Sequence, residues 1–386
     1  MSAVLAEDVD LYHNIRWARY KARVFSALYT INESHPGKVR FHQIADTDRH
    51  RVALSGVEIG DHRYPHELIF AGPYESIPKL RLFFTLVCRV ARSNARLILI
   101  PSFDRPEYWG MLAAAMVTGK RRAVFCDSTL LDRPQVPLKG LLKRVFFHFC
   151  DGFFCYGERA RDFLLHYGAN PKKIYQRFQA AALPDSYTPE DAAADRLISF
   201  NPESVRFLYV GRLSKEKSLH VLLRAFAKVA TTHEGARLIL VGGGPEREAL
   251  EALTRTLDIG SSVEFAGPKD LEALVQEYAR ATCLVLPSET EPWGLVVNEA
   301  LHYCCPVVVS RNCGCVPELV LDDITGYSFR TGDVEDLAEK LTKSVQSFKD
   351  TTEVSRRCLG VVGRFVPPVS AQQIIDGCAA ILNKSY

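Results

Sequence analysis

The chain has 386 residues, 47% hydrophobic and 24% charged, with a formal net charge of only +3. This is ordinary globular composition and enough length for two domains. No apolar run opens the chain, and the longest uncharged apolar stretches, such as Trp109 to Gly119, fall far short of a spanning helix, which argues against a secretory signal or a membrane span and for the cytosol.

The 11 cysteines form no C-x-x-C pair, and Cys304-Cys305 and Cys313-Gly314-Cys315 are too close for the usual zinc ligand set, so they read as buried reduced thiols. Charge is unevenly placed. Residues 1–180 carry an excess of Lys and Arg over Asp and Glu, and the rest of the chain the reverse. A basic N-terminal half points to an anionic partner. The charges are dispersed and no nucleic-acid motif accompanies them, so an anionic lipid surface or a lipid-phosphate acceptor fits better than nucleic acid.

In chain order, Val9 to Ile15 reads as a short strand, and helix signals run from Trp17 to Tyr29. The turn His13-Asn14-Ile15-Arg16-Trp17 between them holds no glycine. His13 and Arg16 are candidates for meeting an acceptor phosphate, and a solvated basic turn explains them equally well. Val39–Ala45 and Glu67–Ala71 read as strands. Asp46-Thr47-Asp48 and Asp8-Val9-Asp10 have the D-x-D spacing of a metal–diphosphate site, but short acidic pairs recur by chance, and no metal is expected. A helix over Ile77–Ala91, a strand over Arg96–Pro101, a helix over Glu107–Val117 and a strand over Ala123–Cys126 follow.

Asp127-Ser128-Thr129 leaves the carboxyl end of that strand, the ligand-facing edge of a parallel sheet. Asp127 can accept a hydrogen bond from a ligand hydroxyl there, or cap a turn. Pro137–Phe149 is a basic amphipathic helix with two readings: a membrane-surface helix, or a core helix with a solvated basic face. A strand over Gly152–Tyr156 and a helix over Glu158–His166 continue the alternation, which predicts a parallel sheet with helices on both faces.

The polar, proline-bearing stretch 183–204 reads as an interdomain linker, bounded as 191–204 between a first domain of residues 1–190 and a second of residues 205–365. The second domain alternates again, with strands over 206–210, 237–241, 262–266, 282–286 and 307–310 and helices over 218–230, 245–256, 270–280 and 333–347. A last helix is expected at about Ala371–Leu382, within residues 366–386.

The chemistry concentrates at residues 287–299. An apolar strand stops at Pro287, a polar loop follows, and Trp293-Gly294 leads into the helical stretch Leu295-Val296-Val297-Asn298-Glu299. Gly294 lets the backbone come close to a ligand. The amides of Leu295 and Val296 open from the helix start, where an anion is favoured. Glu291 and Glu299 frame that site. Carboxylates repel phosphate but accept two hydroxyl donors at once, so the pattern suggests a phosphate centre with hydroxyl-rich flanks, as in a nucleotide-sugar. An acidic cap with one solvated Glu is the plainer alternative.

Glu291 and Glu299 enclose Pro-Trp-Gly-Leu-Val-Val-Asn, which resembles the E-x7-E motif of the retaining glycosyltransferases of family four. Three further pieces resemble that family in its order: Phe207-Leu208-Tyr209-Val210-Gly211-Arg212-Leu213-Ser214-Lys215-Glu216-Lys217, Leu238 to Pro245, and Val263-Glu264-Phe265-Ala266-Gly267. The resemblance covers about residues 204–345 and the N-terminal half in outline. It implies an α/β, GT-B fold: two Rossmann-like parallel-sheet domains facing across a cleft, with the last helix crossing back to the N-terminal domain.

It also implies roles. Glu291 would hold donor-sugar hydroxyls and Glu299 the ribose. Arg212 and Lys217, with the amides of Leu295 and Val296 behind Gly294, would stabilise the leaving diphosphate without a metal. The base would lie along the Gly242–Pro245 and Phe265–Gly267 loops, with Gly211, Gly244 and Phe265 among the donor-binding residues. Asp127 stands where many relatives place a histidine, and the family's glycine-rich turn is absent at His13–Trp17.

The expectation is therefore a metal-independent retaining hexosyltransferase without a cofactor, taking a UDP-sugar in preference to a GDP-sugar. Its acceptor would be a glycan or lipid-linked glycan, and it would sit in the cytoplasm or peripherally on the inner face of the cell membrane. A non-catalytic nucleotide-sugar-binding protein and a phosphorylase or epimerase of the same fold are the alternatives.

Overall fold

The computed structural model of the protein describes residues 4–16, 18–49, 59–132 and 136–383, so Trp17 lies outside the described residues. The chain divides into two compact units. One comprises residues 1–130, 134–182 and 366–386, and the other residues 131–133 and 183–365.

The first unit runs β1 (Val9–Ile15), α1 (Arg19–Asn32), β2 (Val39–Ala45), β3 (His66–Leu68), α2 (Lys79–Arg92), β4 (Leu97–Ile100), α3 (Pro106–Val117), β5 (Arg121–Cys126), α4 (Pro137–His148), β6 (Gly152–Tyr156), α5 (Gly157–His166) and β7 (Ile174–Arg177). Its seven strands lie in the order β3-β2-β1-β4-β5-β6-β7, all parallel. A parallel sheet covered on both faces needs strands that are apolar on both sides. β4, Leu-Ile-Leu-Ile, is wholly buried for that reason. One core lies under α2, α3, α4 and α5, around Leu86, Met111, Phe146 and Phe163. The other lies under α1, around Phe25, Leu28 and Phe41.

The second unit runs α6 (Pro189–Ser199), β8 (Arg206–Val210), α7 (Leu219–Ala230), β9 (Arg237–Val241), α8 (Arg247–Thr256), β10 (Val263–Gly267), α9 (Leu271–Arg280), β11 (Cys283–Leu286), α10 (Leu295–His302), β12 (Val307–Ser310), α11 (Val316–Leu319), β13 (Gly326–Phe329), α12 (Val334–Ser347) and α13 (Thr351–Val362). Its six parallel strands lie in the order β10-β9-β8-β11-β12-β13. The chain winds outward one way from β8 and then restarts the other way from β11. The carboxyl ends of β8 and β11 therefore diverge at a topological switch point, the usual ligand position in such a sheet. The first sheet repeats the device between β1 and β4.

The final helix, α14 (Pro367–Leu382), belongs to the first unit and packs on its second core through Ala371, Ile374, Ile375 and Cys378. It docks closely enough to require glycine on each surface. A Cβ on Gly152 of β6 would lie 2.3 Å from Ile381 Cδ1, and one on Gly377 would lie 2.4 Å from Phe154 Cε1.

The stretch 191–204 is not an extended linker. Thr188 accepts a hydrogen bond from the Asp191 amide and Pro189 takes the first helical position, so α6 forms there. Its Arg196 is fully buried and donates to the carbonyls of Tyr278 (3.0 Å) and Ala281 (2.7 Å) at the end of α9, with its guanidinium 4.3 Å from the Phe200 ring. A polar composition concealed a helix that is anchored by one buried cation. β7, β13 and α13 also lack a clear pattern in the sequence: the two strands have four residues each, and α13 mixes polar and apolar residues behind its Asp350 cap.

Arg196→Ala should cost about 3 kcal/mol, because it strands buried carbonyls and removes the packed stem. Urea unfolding of the variant against wild type measures this. A loss below half a kilocalorie would show that α6 does not depend on Arg196.

Candidate active site

The second unit's switch point is built from backbone first. Gly211 follows β8, and its amide donates to Val241 O at 3.0 Å. Gly242 follows β9 with φ 128°, where a Cβ would sit 2.0 Å from Gly211 O. Gly244 is equally confined, 2.3 Å from Leu213 O. These contacts fold the β8 and β9 loops onto each other with no side chain between them. The Gly242 amide donates to Gly267 O at 2.9 Å, which brings the end of β10, with half-buried Phe265, to the same edge.

A 3-10 turn, Lys215–Lys217, closes the β8 loop. Ser218 behind it is buried in the left-handed region at φ 48°, a conformation that costs a non-glycine residue about 1 kcal/mol. The turn aims Lys217 at Glu291, and the two form an ion pair with side chains 16% and 17% exposed. Arg212 is half exposed and donates to Glu216 Oε1 at 3.0 Å. Burial pushes the Glu216 carboxyl up, but the Ser214 hydroxyl, its own amide and Arg212 outweigh that and hold it below the usual carboxylate range. Tyr209, buried beneath the loop, donates to Arg212 O at 2.7 Å. Its phenol is held far above the ordinary value by burial and by the carboxylates of Glu291 and Glu216.

The loop after β11 is held from the other side. Glu291 pairs with Cys313 as an isolated parallel bridge, Gly314 N donates to Glu291 O at 2.9 Å, and Cys315 N donates to Trp293 O at 3.0 Å. The approach is so close that a Cβ on Gly314 would lie 1.8 Å from Pro292 O. Gly294 turns the chain into α10 at φ 100°. Leu295 and Val296 are the first two residues of that helix, so their amides have no acceptor within it. Trp293 anchors the turn through Nε1 to Asn298 Oδ1 at 2.7 Å, inside the core. Glu299 accepts from the buried Tyr278 hydroxyl at 3.2 Å, and Tyr278 stacks on Tyr303 with ring centres 5.7 Å apart.

The structure thus brings Gly211, Arg212, Lys217, Gly244, Phe265, Glu291, Gly294, Leu295, Val296 and Glu299 to one sheet edge. It adds residues that sequence reasoning missed: Cys313–Cys315, which hold Glu291, Tyr278, which holds Glu299, and Glu216. Gly314 between two cysteines after a strand was the signal available for the first. Tyr278 lies in the last turn of α9 and gave none.

The other candidates belong to the first unit. His13 lies within β1, buried, with Nδ1 3.3 Å from Gln43 Oε1. Burial, reinforced by Lys21, pushes its imidazole down to about 3, so it would meet a ligand as a neutral ring. Arg16 is paired with Asp46 at 2.5 Å, so a phosphate at Arg16 would compete with that carboxylate. Asp10 of the other D-x-D is bound by Arg40 at 2.7 Å and Ser93 at 2.5 Å.

Asp127 stands at the end of β5 with its side chain 44% exposed over two buried cations, 3.8 Å from Lys21 Nζ and 3.3 Å from the Arg177 guanidinium. Arg177 lies 3.6 Å from the Tyr156 ring centre, and Lys21 donates to the Tyr156 hydroxyl. Nothing in the helical pattern of Arg19–Asn32 marked Lys21 as buried. A separate cavity of 730 Å³ beside α2 contains Arg40 and Arg89, but these are paired with Asp10 and Glu67.

Burial, aided by Arg177 and opposed by Asp127, brings the Lys21 ammonium down to about 7. Between that value and the ordinary lysine range the unfolded chain holds a proton that the folded chain lacks, so stability rises with pH there. Urea unfolding at pH 7 and pH 9.5 should show wild type gaining relative to Lys21→Met. An unchanged difference between the two proteins would contradict a neutral-tending Lys21.

Residues 194–357 match the family described as Glycosyl transferases group 1. Sulfoquinovosyl transferase SQD2 of Arabidopsis thaliana is 36% identical over 162 residues, which are 41% of this chain and 30% of that protein. A D-inositol 3-phosphate glycosyltransferase of Mycobacterium sp. (strain KMS) is 31% identical over 218 residues, 54% of this chain and 48% of that protein. The chain thus spans less than half the length of these relatives. The crystal structure of Anabaena HepE in complex with UDP shares the fold, with TM-score 0.70 at 18% identity over 95% of this chain and 98% of that one. The two parallel α/β sheets are those of the GT-B glycosyltransferases. The likeness to the glycosyl transferases group 1 family thus lies in residues 194–357, less than half of the chain.

Proposed function

We propose that the protein is a retaining glycosyltransferase that moves a hexose from a nucleoside-diphosphate sugar, a UDP-sugar in preference to a GDP-sugar, to a hydroxyl of a glycan or lipid-linked acceptor. The observation that carries this reading is the edge at β8 and β11. There, two cations and the open end of α10 stand beside two carboxylates held by separate partners. The names of the two relatives, both sugar transferases, support it, and UDP in the HepE crystal supports the choice of base.

In the proposed reaction the bond between the anomeric carbon and the diphosphate oxygen breaks, and its electron pair leaves with the diphosphate. The acceptor oxygen bonds to the same carbon from the same face, and its proton passes to a phosphate oxygen. Arg212 offers a planar fork to two phosphate oxygens, and Lys217 a compact charge. With the amides of Leu295 and Val296 they offset the charge in place of a divalent cation. Glu291, oriented by Lys217, accepts donor-sugar hydroxyls, and Glu299, oriented by Tyr278, accepts those of the ribose. Among the described residues no helix is long and apolar enough to cross a membrane. We place the protein in the cytoplasm, where nucleotide-sugars and the exposed side of lipid-linked acceptors meet.

A thermal-shift screen of UDP, GDP, ADP and their sugars with EDTA present tests the donor site. Ligand at about 100 times its Kd adds about 2.7 kcal/mol, and the shift should appear with uridine ligands and vanish in Glu299→Ala. Lys217→Ala should lower kcat about a hundredfold. No shift with any nucleotide would remove the reading, and a shift without turnover on any acceptor would leave a nucleotide-sugar-binding protein.

A further inference from the structure

α4 has two apolar faces. Gly140, Phe146 and Phe147 enter the core of the first unit. Leu138, Leu141, Leu142 and Val145, followed by Phe149, are exposed at 71%, 58%, 52%, 39% and 40%. Their spacing is that of a single helical stripe, about 100° wide at 3.6 residues per turn. A stripe of this kind normally meets a partner, yet none of the described residues covers it. Lys139, Arg144 and His148 flank it, all exposed.

α2 repeats the pattern. Leu80 and Phe84 are 75% and 59% exposed, and Lys79, Arg81 and Arg92 stand beside them. α3 lies between the two helices: Trp109 packs on Phe146 of α4, and Gly110 faces Phe83 and Val87 of α2. Its end exposes Met116 and Val117, the latter at 88%. The three helices therefore form one layer on one face of the sheet. Neither α2 nor α4 contains a single Asp or Glu.

We propose that this layer is a docking surface for an anionic lipid bilayer, with the α4 stripe entering the headgroup region and the flanking cations meeting lipid phosphates. The charge selects the occupant. A second copy seated symmetrically would bring like cations together with no carboxylate on α2 or α4 to offset them. A neutral apolar partner would leave the cations unused. An anionic bilayer accepts leucines and phenylalanine below its surface and lysine and arginine at it, and each basic group near such a surface adds to the attraction. Lys143 shows how the cations are shared with the fold, since its ammonium lies over the Phe163 and Tyr167 rings at 4.7 and 4.3 Å. Docking needs no donor, so it stands or falls apart from the transfer reaction.

The test is co-sedimentation of the full chain with vesicles of phosphatidylcholine alone or mixed with phosphatidylglycerol, at low and high salt and without nucleotide. Wild type should bind the mixed vesicles, and salt should weaken that binding. Leu141→Gln/Leu142→Gln and, separately, Lys139→Gln/Arg144→Gln should each bind about tenfold more weakly. All four side chains are exposed, so thermal unfolding should stay at the wild-type temperature. The proposal is overturned if wild type stays in the supernatant with mixed vesicles, or if both double variants bind as well as wild type. It is equally overturned if wild type is a dimer that Leu141→Gln/Leu142→Gln turns into a monomer without any vesicle binding.

Discussion

The candidate site depends on how the loop after β11 is pinned. A carboxylate in the loop between Leu286 and Leu295 would ordinarily sample many positions, and a ligand would have to order it at a cost. Here the backbone of Glu291 is bridged to Cys313, its carbonyl accepts from Gly314, and its carboxylate is tied to Lys217. The contact at Gly314 leaves no room for any side chain. Everything else at the edge follows from that fixed point. Lys217 is turned toward it by a strained Ser218, and Tyr209 braces the β8 loop from below. Gly294 starts α10 immediately behind it.

The same connectivity explains why the functional residues of the second unit come from distant parts of the sequence. In a sheet that winds outward from β8 and then from β11, the loops after those two strands have nothing between them. Arg212 and Glu291 are far apart along the chain, yet lie at neighbouring strand ends. The first unit has the same gap between β1 and β4, but has filled its carboxyl edge differently. Glycine is missing from the turn after β1. Lys21 and Arg177 are buried beneath aromatic rings, with Asp127 the exposed member of the group.

Much of this was legible from residue order, and the parts that were not share a physical cause. Strand positions with unbroken apolar runs, such as Leu97–Ile100 and Val307–Ser310, could be read directly, because burial on both faces leaves no other composition. The loop glycines and the Glu291–Glu299 spacing were also readable, since each is a local requirement. α6 was hidden because its anchor is a single arginine reaching carbonyls 82 and 85 residues away. The neutral state of His13, set by burial, and the commitment of Arg16 to Asp46, a partner 30 residues away in sequence, were hidden for the same reason: each depends on the tertiary fold. Long-range polar partners leave no periodicity behind.

The helix at Pro137–His148 admits two sequence readings, a core helix and a surface-docking helix, and the structure shows that they are compatible. A helix laid on a sheet buries only one stripe, and for α4 Gly140 and Phe147 on that stripe suffice to fix it to the core. The opposite stripe is then free of any folding requirement. Polar residues there would make the surface more soluble at no cost to the core. Leucine at 138, 141 and 142 is therefore not explained by the fold. The same holds for Leu80 and Phe84 on α2, a helix already anchored by Leu82, Leu86 and Val90. Apolar residues that the core does not use, set among cations with no neighbouring carboxylate on either helix, have a physical use only at an interface, and the charge on this one calls for an anionic surface.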